Sequence, residues 1–295
     1  MIPISQEHLQ RKFGYTPCVA LSYSQLRRYR TCPRQYEFSN IKKIPWGISE
    51  GESFGASVHN ALKRWGELEL GLRTEDLGQR TLKKGSKKEG VREDQLLLFA
   101  AEHHGDTHSS KLTAQSLFEI WHETFVFDTY KTRFEADFAR RRGEELMRQF
   151  FVWWSPVPRS VVAVEKSFSL AIDGVTIAGR LDRIERTEQG VRIVDYKTTA
   201  PCTQEEADAD LQLSLYALAS ETLFEKPCTE LLLLFLSESG VVERSTQRSA
   251  SQLKDARTQI RLIRERMEAK DFRPTPSVAA CKRCPYRGVC DVAAV

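Results

Sequence analysis

The sequence predicts a mixed α/β fold in which helices precede a strand-rich core. Three observations carry that prediction. Apolar residues recur at three- and four-residue spacing through the first half, the texture switches to strict alternation near residue 160, and glycine-bearing turns separate the alternating runs. The 295 residues are 41% hydrophobic and 28% charged, enough to bury one large core and too apolar for a disordered chain.

Residues 1–20 read as irregular. Ser22 or Ser24 caps a helix running to Phe38, because a hydroxyl there satisfies an orphan amide of the first turn. Pro45–Gly51 interrupts the chain before a second helix, Gly55–Leu70, which carries His59. Between Thr74 and Ser110 the composition changes: Lys83, Lys84, Lys87 and Lys88 stand with Gly85 and Gly90, and His103, His104 and His108 follow without a ligand pattern. That stretch reads as loop with one short helix near Asp94–His103. Helical spacing resumes over Ala114–Phe127 and Phe134–Trp154, and Pro156 and Pro158 end it. Residues 70–155 together read as a helical insertion in a single domain spanning 1–295.

The strand region follows. Val161–Leu170, Val175–Glu185 and Val191–Lys197 alternate, and Asp173-Gly174 between the first two is a strong hairpin signal. A helix over Gln204–Leu223 leads to strands at Glu230–Leu236 and Val241–Ser245, turning at Ser239-Gly240. An amphipathic helix, Ser249–Lys270, precedes the break at Pro274 and Pro276. No internal repeat is present.

Composition excludes several classes. No apolar run approaches the roughly 20 residues of a membrane-spanning helix, and Met1–Gln10 lacks the basic start and apolar stretch of a secretory signal. The expectation is a cytoplasmic protein with no membrane partner. A net charge of +4 permits a polyanionic partner without demanding one. Arg27, Arg30 and Arg34 share one helix face, as DNA contacts or as an ordinary solvated surface. No phosphate-binding loop of the ATP-motor type occurs.

Seven cysteines, an odd number without an export signal, argue against a disulfide framework. Cys281, Cys284 and Cys290 crowd into ten residues, whereas Cys18, Cys32, Cys202 and Cys228 are scattered. Three thiolates so close suit a soft metal or a cluster and need a fourth ligand from elsewhere. Spacing alone leaves zinc and iron–sulfur both open.

The strand Val191–Lys197 holds the most informative pattern. Asp195 and Lys197 point to the same face, at the end of an apolar row formed by Val191 and Ile193. Charges there are costly unless they meet a metal, a substrate or each other. Asp182 lies on the preceding strand and converges on Asp195 if the two strands are neighbours. A divalent cation then removes the repulsion between the carboxylates, activates water and stabilises charge on a phosphate. A plain strand-end ion pair is the alternative.

Gly179-x-x-Asp182, Asp195-Tyr196-Lys197 and Gln212-x-x-x-Tyr216 resemble, in order and spacing, the motifs of RecB-like PD-(D/E)XK nucleases, including the AddB nuclease domain and CRISPR-associated adaptation exonucleases. Gly55 to His59 looks like that family's metal-binding histidine motif. Thr31-Cys32 through Tyr36 resembles its upstream cysteine element. The resemblance covers residues 20–65 and 160–291. It implies a restriction-endonuclease-like mixed β-sheet flanked by helices, and an exonuclease of DNA repair or recombination acting on single-stranded or free-ended DNA. It implies Mg²⁺ or Mn²⁺ held by His59, Asp182, Asp195 and the Tyr196 carbonyl. Lys197 assists the water, and Gln212 and Tyr216 organise the site. Glu165 resembles an accessory acid of relatives. The resemblance further implies a 4Fe–4S cluster on Cys32, Cys281, Cys284 and Cys290, with structural Zn²⁺ as the alternative. Stapling the ends closes a loop of roughly 250 residues, worth about 5 kcal/mol of chain entropy, so cluster loss is expected to unfold them. A separate helicase subunit is an expected partner. A nuclease-fold DNA-binding subunit that no longer cuts is the alternative function.

Overall fold

The computed structural model describes residues 20–71, 112–224 and 226–294. The lysine run and histidines of Thr74–Ser110, the short helix expected near Asp94–His103, and Cys18 lie outside the described residues.

The chain enters through a two-residue strand β1 (Leu21–Ser22) and helix α1 (Tyr23–Thr31). Ser22 Oγ accepts from the Gln25 amide at 3.2 Å while Gln25 Oε1 accepts from the Ser22 amide at 2.8 Å, a reciprocal cap. The helix expected to run to Phe38 breaks at Cys32, whose backbone is extended (φ −163°, ψ 116°). Pro33 is the cause, since proline disfavours the helical conformation in the residue before it. A short helix α2 (Pro33–Tyr36) and a π-helical turn, Glu37–Ile41, follow. Helix α3 (Glu50–Glu69) begins five residues before expectation because Ser49 and Glu52 form a capping box that outweighs Gly51.

Helices α4 (Ala114–Thr124) and α5 (Arg133–Trp154) lie close to their expected spans. A Cβ at Gly143 of α5 would overlap the Trp121 ring of α4, so only glycine permits this approach. The strands are β2 (Ser160–Ile172), β3 (Val175–Arg186) and β4 (Val191–Lys197). Asp173 and Gly174 both have positive φ, 45° and 82°, which matches the right-handed twist of a two-residue hairpin. The helix expected over Gln204–Leu223 is two, α6 (Gln204–Asp208) and α7 (Leu211–Leu223). Asp210 separates them because its carboxylate caps α7, accepting from the Leu213 amide at 3.0 Å. Strands β5 (Cys228–Ser237) and β6 (Gly240–Thr246), helix α8 (Ala250–Glu268) and a short α9 (Val278–Lys282) complete the order.

The sheet runs β1-β3-β4-β5-β6, with β2 paired to β3. β3 and β4 are antiparallel, β4 and β5 parallel with α6 and α7 in the crossover, and β5 and β6 antiparallel. This is the mixed α/β architecture of a restriction-endonuclease-like core. β4 is central, so both its faces are covered. Val194 and Tyr196 join the core formed with α3, α4 and α5. Asp195 and Lys197 face the opposite side, towards α7.

The chain forms two compact units. One contains residues up to Trp46, Phe168–Gly179 and everything from Lys254 onward; the other contains Gly47–Ser167 and Arg180–Leu253. In the first, Tyr29 donates to the Asp271 carbonyl at 2.5 Å, Thr275 to the Thr31 carbonyl at 3.2 Å and Tyr286 to the Ile44 carbonyl at 3.1 Å. These bonds join the early chain to its last segment. In the second, Trp65, Trp121 and Phe150 are wholly buried around Val194 and Leu232. Each side chain of that kind contributes about 1.5–3 kcal/mol by leaving water.

Candidate active site

All residues of the carboxylate–lysine constellation lie in the second unit. The β3–β4 ladder runs from Arg186–Val191 to Arg183–Val194 and stops there. Asp182 and Asp195 are the next residues on each strand, so both carboxylates stand where the two strands cease to pair. The Tyr196 amide donates to Asp182 Oδ2 at 3.0 Å. His59, on α3, brings Nδ1 to 3.4 Å from the same oxygen. Gly55, one turn earlier on α3, lies beside Thr198 at the end of β4.

Glu165 completes the group. Ligand atoms of His59, Glu165 and Asp182 lie within 4.8 Å of one another, the one such trio among the described residues. Glu165 has a left-handed backbone, φ 49°, inside β2. Burial and the neighbouring Asp182 charge push its carboxyl pKa up. For His59 burial opposes protonation, yet the hydrogen bond to Asp182 and the charges of Asp182, Asp195 and Glu165 outweigh it, and the imidazole pKa rises.

Asp195 anchors a second cluster. It is 2% exposed. Its Oδ1 accepts from Tyr216 Oη at 3.0 Å and Gln212 Nε2 at 3.1 Å. Lys197 Nζ lies 2.5 Å from Oδ2, near enough for an ion pair. Oδ2 is buried, and the Lys197 ammonium is the charge it meets. Burial raises the Asp195 pKa, Lys197 opposes the rise and Asp182 adds to it. Gln212 Oε1 accepts from Lys197 at 2.9 Å while its amide donates to Tyr216 at 2.6 Å. Gln212 and Tyr216 stand one turn apart on α7 and so share a face. Burial and the Asp195 charge raise the Tyr216 pKa well above its ordinary value.

One imidazole nitrogen and two converging carboxylates suit a hard or borderline divalent cation. Tyr196 contributes its amide to Asp182, and its ring meets the His59 ring edge to face at 6.1 Å. Glu165 carried only a weak signal in the sequence, and its turn towards the trio comes from a backbone kink that no residue type announces. Arg180, whose Nε lies 2.6 Å from Glu165 Oε2, was not legible as a site residue at all.

The cysteines belong to the first unit. Cys32, Cys281, Cys284 and Cys290 line a single recess with Phe38 and Tyr286. Burial pushes the Cys284 thiol pKa up, and Cys32, Cys290 and Cys281 add to the rise. The break at Pro33 aims Cys32 into this recess from the end of α1. Cys228 belongs elsewhere: its thiol is pushed up to about 11 by burial and donates to the Glu230 carbonyl at 3.5 Å, as a packing residue does. Arg34 is paired with Glu37 and with Asp291, at 3.5 and 3.0 Å. Arg27 and Arg30 are exposed.

A family model described as the PD-(D/E)XK nuclease superfamily matches residues 20–291. The Gene 69 protein of Mycobacterium phage D29 is 24% identical over 291 residues, covering 92% of this chain and 96% of that protein. Among solved structures, SSO0001 aligns with 97% of this chain and 93% of its own at 14% identity, with a TM-score of 0.40. A protein from Eubacterium rectale described as a candidate exonuclease aligns with 100% of this chain and 96% of its own at 11% identity, with a TM-score of 0.40.

Proposed function

The chain belongs to the PD-(D/E)XK nuclease superfamily, and from that premise we propose that it hydrolyses DNA phosphodiester bonds with Mg²⁺ or Mn²⁺ held by His59, Glu165, Asp182 and Asp195. The Tyr196 carbonyl is a further ligand in this reading. The observation that carries it is the His59, Glu165 and Asp182 trio, whose ligand atoms lie within 4.8 Å of one another. Oxygen and imidazole ligands gathered at one point are what a divalent cation of this class takes.

When bound, the cation supplies an activated water and neutralises charge on the phosphate. The chain's own groups do the rest. Lys197, held by Asp195 and Gln212, donates to the attacking water or to the phosphate oxygen that gains charge. Gln212 uses both ends of its amide, so it fixes the ammonium and the carboxylate together. Tyr216 donates to Asp195 Oδ1 and so holds the carboxylate in place. An intact Lys197 counts against a subunit that only binds DNA.

The finer assignment is an exonuclease of DNA repair or recombination in the cytoplasm, acting on single strands or free ends beside a separate helicase. No helix among the described residues is long and apolar enough to cross a membrane. Arg27 and Arg30, exposed on one face of α1, are assigned to the DNA backbone. The four cysteines around one recess are assigned to a 4Fe–4S cluster. Zinc held by the same four thiolates is the alternative.

Digestion of 5′- and 3′-labelled single- and double-stranded DNA with Mg²⁺, Mn²⁺ or chelator tests the reading. Metal-dependent products shortening from an end are expected. Intact DNA under every metal would refute it, and internal cuts in a closed circle would replace the exonuclease assignment. Absorbance near 400 nm after anaerobic purification is expected of the cluster; a colourless protein with one bound zinc refutes that part.

A further inference from the structure

Arg180 and Glu165 form an ion pair on the candidate metal site that takes no part in the chemistry above. The partners are unequal: the Glu165 side chain is 12% exposed and that of Arg180 is 61% exposed. Glu165 is held there by a left-handed backbone, a conformation that a residue with a Cβ seldom adopts. It is also held against Asp182, a second carboxylate. Without a cation, two acids and a strained backbone need a compensating charge, and Arg180 supplies it. Arg180 stands two residues before Asp182 on β3 and so shares its face. Its guanidinium therefore belongs to the solvent side of the trio.

A metal ligated by Glu165 and an arginine bonded to Glu165 compete for the same oxygens. We propose that Arg180 is a placeholder cation: it balances Glu165 while the site lacks metal, yields the carboxylate when metal binds, and then takes a phosphate oxygen of the substrate. The proposal rests on the nuclease reading. A guanidinium fork matches phosphate as it matches carboxylate, and an arm this exposed turns without unburying anything. The other cations that act on Glu165 are otherwise engaged. His59 belongs to the trio, and Lys63 stands 3.9 Å from Glu67.

The exchange carries a sign that a structural role would not. Deleting Arg180 strengthens metal binding and weakens DNA binding. Because the Arg180 arm is largely exposed, the worth of the pair is small, and Arg180→Ala should bind Mn²⁺ about two- to fivefold tighter. Its KM for DNA should rise about tenfold through the lost phosphate contact, with kcat within about twofold. Arg180→Lys keeps the charge and loses the fork, so Mn²⁺ affinity stays near wild type while KM remains raised.

Full-length wild type, Arg180→Ala, Arg180→Gln and Arg180→Lys would be titrated with Mn²⁺ without DNA, following free Mn²⁺ by EPR. Kinetics on end-labelled single-stranded DNA at saturating Mn²⁺ follow. Arg180→Gln serves if the alanine variant melts early. Mn²⁺ binding that is unchanged or weaker in the neutral variants overturns the proposal, as does tighter binding with unaltered KM. Wild type that binds Mn²⁺ and cuts no DNA ends the nuclease reading instead. Wild type that cuts, with Arg180→Ala matching it in both constants, ends this proposal alone.

Discussion

Arg183 follows Asp182 on β3, points to the opposite face and is fully buried. Its guanidinium bonds both oxygens of Glu69, at the end of α3, and its Nε donates to Glu185 at 2.7 Å. Replacing it with methionine keeps the volume and removes the charge. Glu69 is then left with one neutral donor, Trp154 Nε1 at 2.7 Å, while Glu185 keeps Arg192 at 3.2 Å. Breaking a buried ion network by removing one partner costs about 3–5 kcal/mol, chiefly through the stranded charge. For a chain of this size each kcal/mol lowers Tm by about 2–4 °C, so Arg183→Met should melt roughly 6–20 °C early. Adding Glu69→Gln removes the stranded carboxylate and keeps an acceptor for Trp154, and should restore at least about half of the loss. Urea denaturation of wild type, both single variants and the double variant measures the coupling, expected above about 1.5 kcal/mol. A single variant within 1 kcal/mol of wild type, or a double variant no better than the single, refutes the reasoning.

Further predictions concern the site itself. Lys197→Ala should lose about 10²–10³-fold in cleavage rate while Mn²⁺ affinity changes little; a parallel loss of Mn²⁺ in the EPR titration would move Lys197 from chemistry to structure. Tyr216→Phe removes one of two donors to Asp195 Oδ1 and should cost about tenfold in rate, one net hydrogen bond; wild-type kinetics would show that Gln212 suffices. The raised His59 pKa means that protons compete with metal above the ordinary value of 6.5. Mn²⁺ affinity should therefore fall as pH drops from about 8 to 6, and His59→Ala should bind more weakly with a flatter slope; an equally steep slope contradicts this. The metal-free protein shows the converse. Stability from protonated His59 is complete below 6.5 and is lost as pH rises through the folded value. Cys284→Ser should abolish visible absorbance while Cys228→Ser retains it. Tyr29, Thr275 and Tyr286 still tie the ends together, so loss of the cluster should lower the melting temperature without unfolding the Trp65 core, as near- and far-UV circular dichroism would report.

The legible parts of this molecule are those where local pattern and tertiary role agree. β4 has the bounds its alternation predicted, and Asp173-Gly174 turns where its residue types demand. Asp195 and Lys197 are legible as charges ending an apolar strand face, with Asp182 on the neighbouring strand, whereas His59, Gln212 and Tyr216 are legible only through the family resemblance. Three features were hidden for stated physical reasons. The α1 break at Cys32 depends on Pro33, whose weight against an otherwise helical run is a matter of context. The early start of α3 depends on Ser49 and Glu52 capping through Gly51. The Arg183 network looks like an ordinary polar strand face, because nothing local announces that α3 will cover it. Glu165 combines both difficulties: its side chain reaches the trio only through a backbone conformation that strand periodicity does not encode.

Anomalous diffraction from crystals soaked in Mn²⁺ would locate the cation among these side chains. One strong peak bonded to His59, Asp182 and Glu165 is expected, with Asp195 Oδ2 turned towards it and Arg180 withdrawn from Glu165. A DNA-cleaving protein whose Mn²⁺ binds away from these side chains contradicts it.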